Sequence, residues 1–133
     1  MGERVQTGAI IYTVQEAEWK DQLSVGAETR TPKNRFLLIR LSITNSGPDA
    51  SLPLLSLEDE KHQSYAELTE TAGLEDWLGL LRTIPSVGTD QGWILFDVPP
   101  ATYRLRVTNG GDPEQEKVAM VEIPYRVSPP QGQ

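Results

Sequence analysis

Reactive residue types are scarce in the chain: there is one histidine, His62, in "LEDEKHQSY" (57–65), and cysteine is absent. A nucleophilic triad needs its histidine to converge with a nucleophile and an orienting acid, and a zinc site needs several ligands converging on one point. Glu58, Asp59 and Glu60 neighbour His62 in the chain, but adjacent residues on a loop point in different directions, so a solvated hairpin is expected. Asp112, Glu114 and Glu116 form a second acidic alternation after a double glycine. Calcium takes oxygen ligands from such loops, yet the EF-hand spacing with its central glycine and final glutamate is missing. The 19 acids offer many nominal carboxylate pairs for glycoside hydrolysis and single out none. Neither a Gly-x-Ser-x-Gly elbow nor a phosphate-cradling glycine loop is present. The expectation is therefore a non-enzyme, with no catalytic, cofactor-binding or metal-binding residue.

The feature that does invite a functional reading is apolar. In "SYAELTETAGLEDWLGLLRTI" (64–84), Leu74, Trp77, Leu78 and Leu81 fall at i, i+3, i+4 and i+7, the stripe of a short helix. Glu75 and Asp76 sit near its start, where the helix dipole favours acids, while Gly73 and Gly79 weaken it. Such a stripe either packs back over an open end of the fold or stays partly exposed as an anchor for another protein, a role for which Trp is over-represented. Leu74, Trp77, Leu78 and Leu81 are the candidate partner-binding residues.

Around these residues the chain reads as strands and turns. Its 133 residues suffice for one domain with a real core, and 11 glycines with 10 prolines mark frequent turns. In "NRFLLIRLSITNSGPD" (34–49), Leu37, Ile39, Leu41 and Ile43 alternate with Arg40, Ser42 and Thr44, placing the aliphatics on one face. Further strands are expected over 8–14, 17–25, 50–59, 92–98, 102–108 and 117–123, with Pro53 marking an edge or bulge. Pro99 and Pro100 have no N–H for a ladder, so they make a corner between two strands. These signals predict an all-β, immunoglobulin-like sandwich of seven or eight mostly antiparallel strands over residues 1–125, a short helical insertion within 64–84, and a loosely held tail over 126–133. The core is expected at Ile10, Val14, Leu37, Ile39, Leu41, Ile43, Ile94, Phe96, Leu105 and Val107. Trp93 should lie on the face opposite Ile94 and Phe96, and Trp19 at a sandwich end.

A net charge of −7 makes nucleic acid and anionic membrane surfaces poor partners, while suiting solubility or a basic partner. No apolar run approaches the roughly 20 residues that span a bilayer, so membrane insertion by this chain is not expected. A charged segment followed by an apolar one, as in an export signal, is not visible in the sequence.

Three patches carry a family resemblance. "GERVQTGAIIYTV", "RFLLIRLSITNSG" and "VGTDQGWILFDVPPATYRLRV" resemble, in turn, the opening strand, central strand and closing run of a bacterial domain of unknown function. That family is immunoglobulin-like and similar to the mycobacterial secreted immunoprotective protein, and its members are commonly exported, often as lipoproteins or behind a single anchor. Its usual Pro-Gly before the penultimate strand appears here as Pro85-Ser86-Val87-Gly88, and the 64–84 segment has no clear counterpart. The resemblance implies a non-catalytic interaction or structural module of the bacterial cell envelope, outside the cytoplasm, with another protein as partner. The alternatives are a small-ligand or Ca²⁺-binding domain using the acidic loops near Asp59 and Asp112, a hydrolase with an unrecognised carboxylate site, and a cytoplasmic location.

Overall fold

The computed structural model describes residues 3–110, 114 and 116–123. Asp112 and the tail over 126–133 lie outside the described residues. One sheet is built from β1 (Glu3–Thr7), β2 (Ile10–Lys20), β5 (Arg35–Asn45) and β10 (Gly88–Val98), in the order β1-β2-β5-β10. The facing sheet has the order β12-β11-β7-β8, from β7 (Ser56–Glu58), β8 (Ser64–Ala66), β11 (Tyr103–Thr108) and β12 (Val118–Ile123). Two short ribbons complete it: β3 (Leu23–Val25) with β4 (Glu28–Arg30), and β6 (Ala50–Leu52) with β9 (Arg82–Ile84). All these strand pairs are antiparallel. The fold is the expected all-β sandwich.

Period-two alternation explains where the core sits. Leu37, Ile39, Leu41 and Ile43 of β5 face the second sheet and are buried, with Ile94, Phe96 and Val98 of β10 beside them. Leu57, Leu105, Val107, Val121 and Ile123 meet them from the other side. All ten residues expected in the core are buried. The segments 8–14 and 17–25 are not two strands. Most of their length is the single strand β2, whose pairing with β5 shifts between Val14 and Glu16. The extra residue at this bulge is Gln15. Ile10, Tyr12 and Val14 point inward before it, and Ala17 and Trp19 pack on the core after it. The change of parity is what makes one strand read as two.

Pro53 falls in the gap between β6 and β7, where the chain passes from the β6–β9 ribbon to the second sheet. Pro99 and Pro100 carry it from β10 to β11, and the Tyr103 hydroxyl donates to the Pro99 carbonyl at 2.5 Å, closing that corner. Tyr103 also stands edge-on to Tyr65 and 6.3 Å from Trp19 between ring centroids.

The helix expected within 64–84 is not there. Gly73 and Gly79 both adopt φ 90° and Asp76 φ 50°, left-handed values that interrupt any helical turn. The segment instead begins as β8, crosses between the sheets, and ends as β9. Its backbone bonds at Leu68, Asp76 and Leu78 go to the edge of β10, which an extended chain can reach and a helix cannot.

Candidate functional site

The crossing segment is laid along the free edge of β10. Leu68 N–H donates to the Leu95 carbonyl (2.8 Å), Trp93 N–H to the Asp76 carbonyl (2.8 Å), and Leu78 N–H to the Trp93 carbonyl (3.1 Å). Trp77 and Trp93 thereby form a parallel bridge. An edge that would otherwise offer unpaired groups to another chain is covered. Gly92 is what permits the close approach: a Cβ there would collide with the Asp76 carbonyl oxygen and press on Leu78.

The segment is anchored from inside by a buried ion pair. Arg82 and Glu67 meet through two bonds, Nη1 to Oε2 at 2.5 Å and Nη2 to Oε1 at 2.6 Å, both side chains almost fully excluded from water. Glu67 also accepts the Leu55 N–H at 2.6 Å, and Arg82 Nε donates to the Gly79 carbonyl at 3.0 Å. Charges taken out of water hold only when paired and further bonded in this way. The two ends of the crossing segment are thus clamped to each other and to the entrance of β7. Beside them, burial pushes the Tyr12 phenol far above its ordinary range, although its hydroxyl donates to the Thr108 carbonyl at 2.6 Å.

The four stripe residues are divided among different surfaces. Leu78 enters the main core. Leu74 joins a second apolar cluster on the outer face of the first sheet, where Leu23, Phe36, Leu38 and Leu95 are buried with Leu68 and Trp93 against them. Trp77 is half-buried, and Leu81 is 88% exposed. The polar outer face that alternation assigns to β5 is therefore apolar at Phe36 and Leu38, because the crossing segment and the β3–β4 ribbon cover it. Trp93 lies opposite Ile94 and Phe96, as its register demands.

Sequence reasoning missed Leu80, which is 56% exposed, and Val87, which is 83% exposed at φ 55°. Val87 occupies the third position of the turn Pro85-Ser86-Val87-Gly88, closed by Gly88 N–H to the Pro85 carbonyl at 3.0 Å. Such a turn asks for glycine at that place, and a β-branched residue in the left-handed region is a strained choice. The signal was available: Val stands in a turn where the related pattern has Pro-Gly.

Asp59 organises its hairpin. Its Oδ1 accepts the N–H groups of Lys61 (2.8 Å) and Gln63 (2.9 Å), and its Oδ2 the Tyr65 hydroxyl (3.2 Å). These bonds, led by that from Gln63, hold its carboxyl below the usual range. His62 takes φ 66° and shares Glu58 Oε1 with Arg104, at 2.9 and 3.1 Å. Glu116 accepts the Thr108 hydroxyl at 2.6 Å. Among the described residues no group of three or more His, Asp or Glu is placed to hold a metal ion. No described helix is long and apolar enough to cross a membrane.

A family described as "Domain of unknown function (DUF4352)" matches residues 1–117. No curated protein matches the chain in sequence. Among solved structures, the YjhA protein of Bacillus subtilis is 20% identical with a TM-score of 0.64, over 91% of this chain and 97% of that one. A candidate lipoprotein of Bacillus subtilis, YcdA, is 12% identical with a TM-score of 0.69, over 92% of this chain but 38% of its own length. These likenesses show a shared fold.

Proposed function

The chain belongs to the DUF4352 family of domains of unknown function, and we propose that it acts as a non-catalytic interaction module of the bacterial cell envelope, exposed outside the cytoplasm. The observation that carries the reading is the display of large apolar side chains at both ends of the short strand β9. Leu80 and Leu81 precede it and Val87 follows it, each more than half exposed, although the fold has apolar interiors on both faces of its first sheet. A strained, solvent-facing valine is retained at a cost that a binding role would explain. The partner is another protein, whose apolar surface would cover these side chains. The envelope location takes its support from the resemblance of the three sequence patches and from YcdA, a candidate lipoprotein of like fold. The further likeness to the mycobacterial secreted immunoprotective protein belongs to the same proposal and rests on those patches.

The test is made in the native host, on the product of the whole gene. A photo-crosslinking residue at position 81 should give a discrete protein adduct, whereas the same probe at exposed Glu28 should not. External protease should degrade the protein in spheroplasts with intact membranes. Equal labelling at both positions, or protection from protease until lysis, would overturn the reading.

A further inference from the structure

Beyond that role, we propose that the cavity between Trp77 and the outer face of β5 and β10 is a binding site for an acidic sugar, a single pyranose ring carrying a carboxylate. The cavity is a partly open cleft of about 330 Å³, lined by Arg40, Asp76, Trp77, Gln91, Gly92 and Trp93. That volume lies near the lower end of the roughly 300–1,000 Å³ typical of small-ligand sites, which limits the occupant to about one ring.

Backbone pairing brings the lining together. Trp93 pairs with Arg40 across β10 and β5 and with Trp77 across the bridge, and directly paired residues project to the same face. Gln91 is two residues from Trp93 and so shares that face. Residues from three separate stretches, 40, 76–77 and 91–93, therefore meet on one side of the sheet. Gly92 and left-handed Asp76 allow the stretch 76–77 to approach closely enough to complete the site.

The chemistry of the lining selects the ligand. Two indoles give flat, polarisable walls suited to the C–H faces of a sugar ring. Arg40 is half-buried, and no hydrogen bond or ion pair engages it among the described residues. A guanidinium left free in such a place is a planar fork for a carboxylate. Asp76 and Gln91 supply acceptors and a further donor for ring hydroxyls. A purely apolar ligand would leave these groups unpaired, and a neutral sugar would leave Arg40 so.

The test follows the indole N–H resonances of the intact chain by ¹⁵N NMR, during titration with D-glucuronate, D-glucose and acetate. Glucuronate should shift the Trp77 and Trp93 signals saturably and leave Trp19, on the core side, unmoved. Glucose should bind about tenfold or more weakly, and acetate should not reproduce the shifts. Arg40→Gln should bring glucuronate down to the level of glucose, and Trp77→Phe should weaken both sugars while keeping a flat ring. No saturable shift with glucuronate in the folded protein, equal shifts in all three indoles, or an Arg40→Gln chain that still prefers glucuronate would overturn the proposal. The crosslink at position 81 is read separately, so the sugar site and the protein-binding role can each fail alone.

Discussion

The β5–β10 pair and the segment from Glu67 to Arg82 both close the same core, and they do it by different means. In the first, eleven residues of β5 face eleven of β10 in unbroken register, and alternation alone buries Leu37, Ile39, Leu41 and Ile43 against Ile94, Phe96 and Val98. In the second, contact with the sheet edge is made at Leu68, Asp76 and Leu78, and the chain between them bends through left-handed residues. What the segment lacks in periodic pairing it recovers from one buried ion pair at its ends and one glycine beneath it. A regular pair spreads its stability over many rungs, whereas an irregular cover concentrates it in a few atoms. The two should therefore answer differently to single substitutions.

The largest effect should come from the irregular side. Arg82→Met leaves the Glu67 carboxylate buried without its counter-ion and should cost about 3–5 kcal/mol in urea denaturation. The double replacement Glu67→Met with Arg82→Met should recover most of that loss, since no charge is then left unpaired. A single substitution costing under ~1 kcal/mol would mean that the pair does not clamp the segment.

Truncation on the regular side should come next. Ile39→Ala and Phe96→Ala each empty a fully buried site and should cost about 2–5 kcal/mol. Losses under ~0.5 kcal/mol for both would contradict the burial assigned by alternation.

Gly92→Ala sharpens the contrast, because it acts where the two regions touch. Its methyl group would meet the Asp76 carbonyl, so the cover must lift, at about 1–3 kcal/mol. The signature should be faster amide exchange at Leu78 and Trp93, with Ile39 and its neighbours on β5 unaffected. Uniform loss of protection would show that cover and sheet open as one unit.

The smallest effect is expected at the proline corner, away from the cover. Burial, with Tyr65 and Asp59 nearby, pushes the Tyr103 phenol up to about 12. An unfolded tyrosine ionises near ~10, so between these values the folded state holds a proton that the unfolded state has lost. Stability is then full below about pH 10 and falls as pH rises towards about 12. Tyr103→Phe should flatten this alkaline slope while lowering the melting temperature at neutral pH, because its bond to Pro99 is gone. An unchanged slope would assign the titration to Tyr12, beside the ion pair.

Legibility in the sequence followed the same division. The core of β5, β10 and β11 was readable because a strand repeats every two residues and each apolar position declares its own face. β2 was read as two pieces because one bulge reverses that parity. The stripe at Leu74, Trp77, Leu78 and Leu81 imitates a helix because its members answer to three surroundings: the main core, the outer cluster and solvent. For the candidate site, Trp77 stood out by type and Trp93 by parity. Arg40 and Gln91 gave no sign, since nothing local links residue 40 to residues 77 and 91.

By itself the sequence determined the class of fold, the sheet-facing set and the lack of recognised catalytic motifs. These depend on short-range alternation, on turn residues and on which side chains are present at all. Only the tertiary structure decided that the 64–84 segment is an edge cover, that Glu67 and Arg82 are partners, and that two tryptophans and an arginine share a cavity. Such facts depend on which distant stretches lie side by side, and that is settled when hydrogen-bonding edges and buried charges find partners across the chain.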